Sequence, residues 1–125
     1  MNFPNTVKYT REHEWIKIDG SVATVGITEF ATNELGDIVF IEIETAGETL
    51  SQGDTFGTVE AVKTVSDLFM PLSGEILSVN PKLESTPEIV NKDPYGDGWL
   101  IKVKIADLSG LDMLLNSDDY AALVE

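Results

Sequence analysis

The chain has 125 residues, of which 22 are Asp or Glu and 8 are Lys or Arg, and its formal net charge at pH 7 is −14. Such an acidic surface repels nucleic-acid phosphates and anionic lipid headgroups, and it suits solubility and steering toward partners with basic patches. The absence of cysteine excludes disulfides, thiolate metal sites and a cysteine nucleophile, and no apolar run is long enough to span a membrane.

The first elements in chain order are a hairpin and a short helix. Residues 15–18 and 21–25 are β-prone and flank Asp19-Gly20, a pair that supplies the positive φ angles of a two-residue turn. Thr28 is a candidate N-cap and Gly36 a candidate C-terminal stop. The segment between them is therefore predicted to be helical.

The middle of the chain predicts three strands and an exposed turn. Residues 38–44 place Glu42 and Glu44 on one face, which is typical of a half-buried strand. After the turn-rich segment 47–54, residues 55–62 and 64–70 form two β-prone arms on either side of Lys63. Lys63 is therefore either the displayed tip of a hairpin or a charged guard on an edge strand.

The last third predicts a strand, a short helix, a loop, another strand and a helical end. In order, these are 75–79, a helix starting at Thr86-Pro87-Glu88, a loop at 91–98, 99–105, and 108–125 with Ser117 capping its last piece.

No residue set supports catalysis. One histidine, His13, is too few for a zinc site without cysteines or for a triad that needs a histidine base. The segment 93–98 lacks the oxygen spacing and the distant Glu of an EF-hand loop. Lys63 remains as a nucleophilic amine that an activated carboxyl group can acylate, which would make the domain a carrier.

Six segments point to one known family. They are HEW at 13–15, SVATVGIT at 21–28, LGDIVF at 35–40, VEAVK at 59–63, PLSGE at 71–75 and YGDGWLIK at 95–102. Together, in this order, they resemble the H proteins of the glycine cleavage system along essentially the whole chain. The resemblance implies a mainly β, flattened lipoyl/biotinyl-carrier-like barrel-sandwich with an N-terminal hairpin, short helices and a C-terminal helix. It implies one domain, 1–125, with a lipoyl-type core at about 22–105 and a helical region at about 108–125.

The resemblance implies that Lys63 carries lipoic acid in amide linkage. Glu60, Asp67 and Gly74 then match the features that lipoate-attaching enzymes read around the lysine. A biotinyl carrier is disfavoured because its lysine normally lies between methionines, whereas Val62 and Thr64 flank Lys63 here. A lipoyl domain of a 2-oxo acid dehydrogenase normally has Asp-Lys-Ala at the tip and Pro/Ala linkers, and this chain has neither.

The family also shelters its loaded arm in a cleft. By position, Glu14 and Asp67 would pair with the cationic amine, while Ile27 and Leu35 would cover the arm; the alternative is that the last two are ordinary core residues. Glu12 departs from the family, where serine is common at this position. That difference affects the details of the cleft and leaves the attachment motif intact.

The implied role is non-catalytic. The carrier would serve a pyridoxal-phosphate glycine decarboxylase (P protein), a folate-dependent aminomethyltransferase (T protein) and a flavin dihydrolipoyl dehydrogenase (L protein), after loading by a lipoate ligase or octanoyltransferase. A paralogue that relays lipoyl groups to other enzymes is the alternative. We expect a monomer with no nucleic-acid or membrane partner. The first residues lack a secretory or transit pattern, which predicts the cytoplasm, or the mitochondrial matrix for a mature eukaryotic form.

Overall fold

The computed structural model describes all 125 residues and is built mainly from nine antiparallel strands. The strands are β1 Lys8–Tyr9, β2 Glu14–Asp19, β3 Val22–Ile27, β4 Ile38–Glu42, β5 Thr49–Leu50, β6 Thr55–Ala61, β7 Val65–Phe69, β8 Gly74–Val79 and β9 Ile101–Ile105. The helices are α1 Glu29–Leu35, α2 Lys82–Ser85, α3 Ile89–Lys92 and α4 Ser117–Val124, with a 3-10 helix at Ser109–Met113. The mainly β fold with short helices and a C-terminal helix is confirmed.

The strands form two sheets that enclose the core. One sheet has the order β1-β2-β3-β9-β8-β5 and the other β4-β6-β7. A cluster of 17 buried apolar residues draws on both sheets, for example Ile16 and Val103 from the first and Ile41 and Val59 from the second. The core therefore lies between the sheets, and one face of the three-stranded sheet remains outside it.

The predicted N-terminal hairpin is confirmed, with its turn one residue later than expected. Asp19 pairs with Val22 across β2 and β3, so the two turn residues are Gly20 and Ser21. Gly20 has a φ of 64°, a conformation that glycine adopts without steric cost. Asp19 thus closes the ladder of β2.

Helix α1 begins and ends as its caps predict. The Thr28 hydroxyl accepts a hydrogen bond from Ala31 N at 3.1 Å. Gly36 N donates to Thr32 O at 2.9 Å, and Gly36 has a φ of 79°. These two residues set the direction in which the chain leaves the first sheet and enters β4.

Two segments predicted to lack regular structure contain short elements held by tertiary contacts. Thr49–Leu50 pairs with Glu75 and Gly74 of β8 to form β5. Asn91, which we expected in a loop, lies in α3, where its side chain accepts from Ile38 N and donates to Gly36 O, both at 2.9 Å. These contacts join residues more than 20 positions apart, which local patterns do not register.

The C-terminal region folds back on the N-terminal strand. Its two helical pieces match the expectation, but the cap of α4 is Asn116, whose side chain accepts from Asp119 N at 2.8 Å, and Ser117 is the first helical residue. Tyr9 and Leu115 exchange backbone hydrogen bonds of 2.8 and 2.7 Å. The buried Tyr120 ring of α4 stacks on Tyr9 with centroids 4.5 Å apart. None of the helices is long and apolar enough to cross a membrane.

Candidate functional site

Lys63 lies at the tip of the hairpin formed by β6 and β7. Glu60 pairs with Val65, and Ala61 N donates to Thr64 O at 2.8 Å, so Val62 and Lys63 occupy the turn. Both turn residues are exposed. The lysine is therefore presented to solvent at the end of two paired strands, as the β-prone arms predict.

A second contact fixes this tip to the start of β4. Val62 N donates to Asp37 O at 3.0 Å. The Lys63 side chain passes over Gly36, where an added Cβ would lie 3.6 Å from Lys63 Cε. The turn is thus held both by its own hairpin and by the junction between α1 and β4.

Glu60 and Asp67 lie close to the lysine in the same sheet, but Gly74 does not. The pairs Glu60–Val65 and Thr58–Asp67, with the alternation of side chains along a strand, place Glu60 and Asp67 on the outward face. Gly74 belongs to β8 of the other sheet. A Cβ at Gly74 would overlap the Lys104 carbonyl oxygen and the Val103 side chain, so close packing by itself requires glycine there.

The four residues predicted for the arm cleft all line one cavity of about 370 Å³ between α1, β2 and β7. Its lining comprises Glu12, His13, Glu14, Ile27, Phe30, Ala31, Glu34, Leu35, Val59, Ser66, Asp67 and Leu68. Ile27 also belongs to the core cluster and Leu35 packs against it. Ile27 and Leu35 therefore both contribute to the core and line the cleft.

Glu14 is the buried polar centre of this cavity. It is 2% exposed, accepts from the Thr10 hydroxyl at 2.7 Å, and accepts from Phe69 N at 3.2 Å. Burial raises the pKa of the Glu14 carboxyl to about 7, and the two hydrogen bonds oppose that rise. Because Glu14 belongs to β2 and Phe69 to β7, the carboxylate also joins the two sheets.

Asp67 has a different position from Glu14. It alternates along β7 with Ser66 and Leu68, so its side chain lies toward the outward face while the residue still borders the cavity. The two carboxylates thus occupy the interior and the rim of the cleft.

Sequence reasoning missed most of the other lining residues, among them Glu34, Phe30 and His13. Glu34 follows Phe30 by four residues on α1, a helical spacing that places both on one face. His13 has a φ of 70°, its ring lies 4.8 Å from Phe30, and its Nδ1 lies 2.9 Å from the Tyr120 hydroxyl. Burial lowers the pKa of His13. The helical period could have revealed Glu34 and Phe30, but the contact of His13 with Tyr120 has no local signal.

The cavity suits a guest with an apolar body and a cationic end. Apolar side chains from α1, β3 and β6 form its walls, and its lining includes the acidic residues Glu12, Glu14 and Glu34, with Asp67 at the rim. A cavity of about 400 Å³ between β4 and α2 contains none of the predicted site residues. The cleft near β7 is therefore the better candidate.

A small β scaffold that presents one lysine on an anchored hairpin beside such a cleft has the architecture of a carrier for a covalently tethered group. The glycine cleavage H-protein family model matches residues 7–125. Glycine cleavage system H proteins of Bacteroides fragilis and Bacteroides thetaiotaomicron are 60% and 61% identical over 124 residues, covering 99% of this chain and 98% of each relative. A crystal structure of a glycine cleavage system H protein from Mycobacterium marinum is 41% identical with a TM-score of 0.83, covering 95% of this chain and 96% of that one.

The chain therefore belongs to the glycine cleavage H-protein family, the carrier component of the glycine cleavage system.

Proposed function

We propose that this chain is a lipoyl carrier that acts as one domain over residues 1–125 and is loaded on Lys63. The observation that carries the proposal is the position of Lys63 in an exposed turn that is anchored by its own hairpin and by Asp37 O. An acylating enzyme can reach this amine without disturbing the scaffold. Glu60 and Asp67, on the outward face of the same hairpin, are the proposed recognition residues. Gly74, which the resemblance adds to this set, is proposed to act on the scaffold through the packing of β8.

The lysine chemistry is simple. The neutral Nζ attacks the activated carboxyl carbon of lipoic acid, the amide bond forms as the activating group leaves, and a proton of the amine passes to solvent. Because the Val62–Asp37 hydrogen bond fixes the tip, the backbone of Lys63 has a defined position from which its side chain extends. When bound, the lipoyl group supplies the disulfide that accepts an aminomethyl group derived from glycine.

The scaffold itself carries the tethered group from one enzyme to the next. We propose the glycine decarboxylase, the aminomethyltransferase and the dihydrolipoyl dehydrogenase as its partners, and a monomeric, cytoplasmic, non-catalytic carrier. A tether on Lys63 replaces free diffusion by a high effective concentration at each partner. The excess of 22 acidic over 8 basic residues supports steering to basic docking surfaces with short-lived, salt-sensitive complexes.

The cleft supports a protected state of the loaded arm. Glu14 provides a buried carboxyl that faces a cationic guest, and Ile27 and Leu35 provide apolar walls. A cation in the cavity favours the ionised form of Glu14 and so lowers its pKa. In Glu14→Gln protein the one-carbon group should be released from the loaded carrier to water faster than in wild type, and equal release rates would remove Glu14 from this role.

The attachment site is tested by intact-mass analysis of protein isolated from its native host. Wild type should gain the mass of one lipoyl group, and Lys63→Arg should gain none. Lys17→Arg, an exposed lysine variant in β2, is the matched control and should be modified like wild type. A lipoyl-sized adduct that persists in Lys63→Arg would refute attachment at this residue.

A further inference from the structure

Exposed apolar side chains surround Lys63 on the outward side of the three-stranded sheet. Val39 and Phe40 are each 51% exposed, Val62 76% and Val65 62%. We call these four residues the tip patch. Single exposed apolar residues are ordinary on protein surfaces, whereas a contiguous group marks an interaction site.

A bulge in β4 creates this patch. Ile38 pairs with Ala61 and Phe40 pairs with Glu60, so Val39 is an extra residue in the ladder. Uninterrupted alternation from the buried Ile38 would turn Phe40 into the core. Because the bulge interrupts that alternation, Phe40 faces outward opposite Glu60, and Ile41 faces inward with 7% exposure. The bulge thus moves a large aromatic side chain from the core to the surface.

The register aligns the patch with acidic residues beside the lysine. Phe40, Glu60 and Val65 form one row across β4, β6 and β7, and Glu42, Thr58 and Asp67 form the next. No Lys or Arg occurs in these three strands. The outward face therefore combines an apolar centre with three carboxylates, and Lys63 at one end is its cation.

We propose that the tip patch is the docking surface for the enzyme that acylates Lys63. The matching surface of that enzyme is an apolar contact surrounded by basic residues. This inference rests on the proposed carrier function. The acylating enzyme must bring its active site to Nζ itself, so its contact must include the neighbours of the lysine. Enzymes that act on the far end of a tether do not have to contact the neighbours of Lys63. The three carboxylates complement a basic rim and accelerate encounter.

The test is the steady-state kinetics of acylation by a purified lipoate–protein ligase with lipoate and MgATP, with the unmodified carrier as the varied substrate. Phe40→Ser and Val65→Ser should each lower kcat/KM about tenfold, chiefly by raising KM, because they remove binding energy shared by the ground and transition states. Leu77→Ser is the matched control, since Leu77 is 47% exposed on β8 of the other sheet. It should remain within about twofold of wild type.

Three outcomes would overturn the docking proposal. They are unchanged kcat/KM in both patch variants, an equal loss in Leu77→Ser, and a patch that instead mediates self-association in sedimentation while acylation is unchanged. Thermal unfolding of each variant verifies that the compared proteins are folded. If wild type itself is not acylated on Lys63, both the carrier function and the docking surface are refuted. If wild type is acylated and the patch variants are acylated equally well, only the docking surface is refuted.

Discussion

The Lys63 hairpin and the Glu14 cleft lie side by side, but they are built from contacts of very different range. The hairpin is formed by residues 55–69, which pair with their neighbours in sequence. In the cleft, Glu14 accepts from Phe69 N across 55 positions, and His13 contacts Tyr120 across 107. Display of the amine thus depends on a local hairpin with one further anchor at Asp37 O, whereas the cavity and its support draw on residues from both ends of the chain.

The largest expected effect concerns Gly74. It tests whether this residue is needed for recognition of the Lys63 hairpin or for packing of the scaffold. In Gly74→Ala, overlap with the Lys104 carbonyl should lower the free energy of unfolding by about 3 kcal/mol, the upper end of the usual range for an overpacked site. The kcat/KM of acylation, corrected for the folded fraction, should stay at the wild-type value. Denaturant unfolding and ligase kinetics measure the two quantities, with Ser78→Ala on the same strand as the control. Unchanged stability with lost acylation would assign Gly74 to recognition instead.

The pH dependence of stability tests the cleft directly. The folded protein holds the Glu14 proton up to about pH 7, whereas the unfolded chain releases it near the ordinary value of 4.5. The folded state therefore binds more protons between these values, and its stability falls as pH rises through the interval. Between pH 5.5 and 8, wild type should lose about 2 kcal/mol more than Glu14→Gln. Parallel stability curves for the two proteins, measured by urea unfolding, would contradict the raised pKa.

A smaller effect is expected where α4 supports the cleft. The Tyr120 hydroxyl lies 2.8 Å from the Thr28 hydroxyl and 2.9 Å from His13 Nδ1. Tyr120→Phe keeps the ring but removes these bonds and should cost about 1–2 kcal/mol. Amide hydrogen exchange should accelerate in α1 and leave the β6–β7 hairpin unchanged. Equal acceleration in both regions would show that they are not independent, and Leu123→Ala, an exposed change on the same helix, is the control.

The smallest effect belongs to the tip itself. Lys63 is exposed and its side chain makes no hydrogen bond or ion pair. Lys63→Arg should therefore change the free energy of unfolding by less than about 0.5 kcal/mol, measured by thermal or urea unfolding. A substantial loss of stability would mean that the tip contributes to the scaffold, and the contrast between the two regions would be weaker.

The same contrast explains what could be predicted from the sequence. The two arms around Lys63 and the caps of α1 are encoded within a few residues, so turn and strand preferences predict them. The same preferences left open whether Lys63 is a displayed tip or a charged guard on an edge strand. The turn at Gly20 and the cap at Asn116 differ by one residue from the prediction, because neighbouring polar residues have similar local preferences. These errors leave the order of the elements unchanged.

The composition of the cleft was only partly accessible. Glu14, Ile27, Leu35 and Asp67 were placed together by family resemblance, since no local pattern links them. The outward turn of Phe40 was also hidden, because residues 38–41 are uniformly apolar and show no alternation from which a face could be assigned. A bulge is defined by pairing with another strand, and a single-sequence pattern does not contain that partner.

The closure of Tyr9 onto Leu115 has a consequence for the order of folding. The two residues exchange backbone hydrogen bonds, which bring the following helix α4 back to the N-terminal strand. His13 and Thr28 therefore contact Tyr120 only after residue 120 has been synthesised and has returned to this strand. Closing so long a loop costs entropy that local pairing does not. We therefore expect the lysine hairpin to form early and the cleft to be completed late in folding.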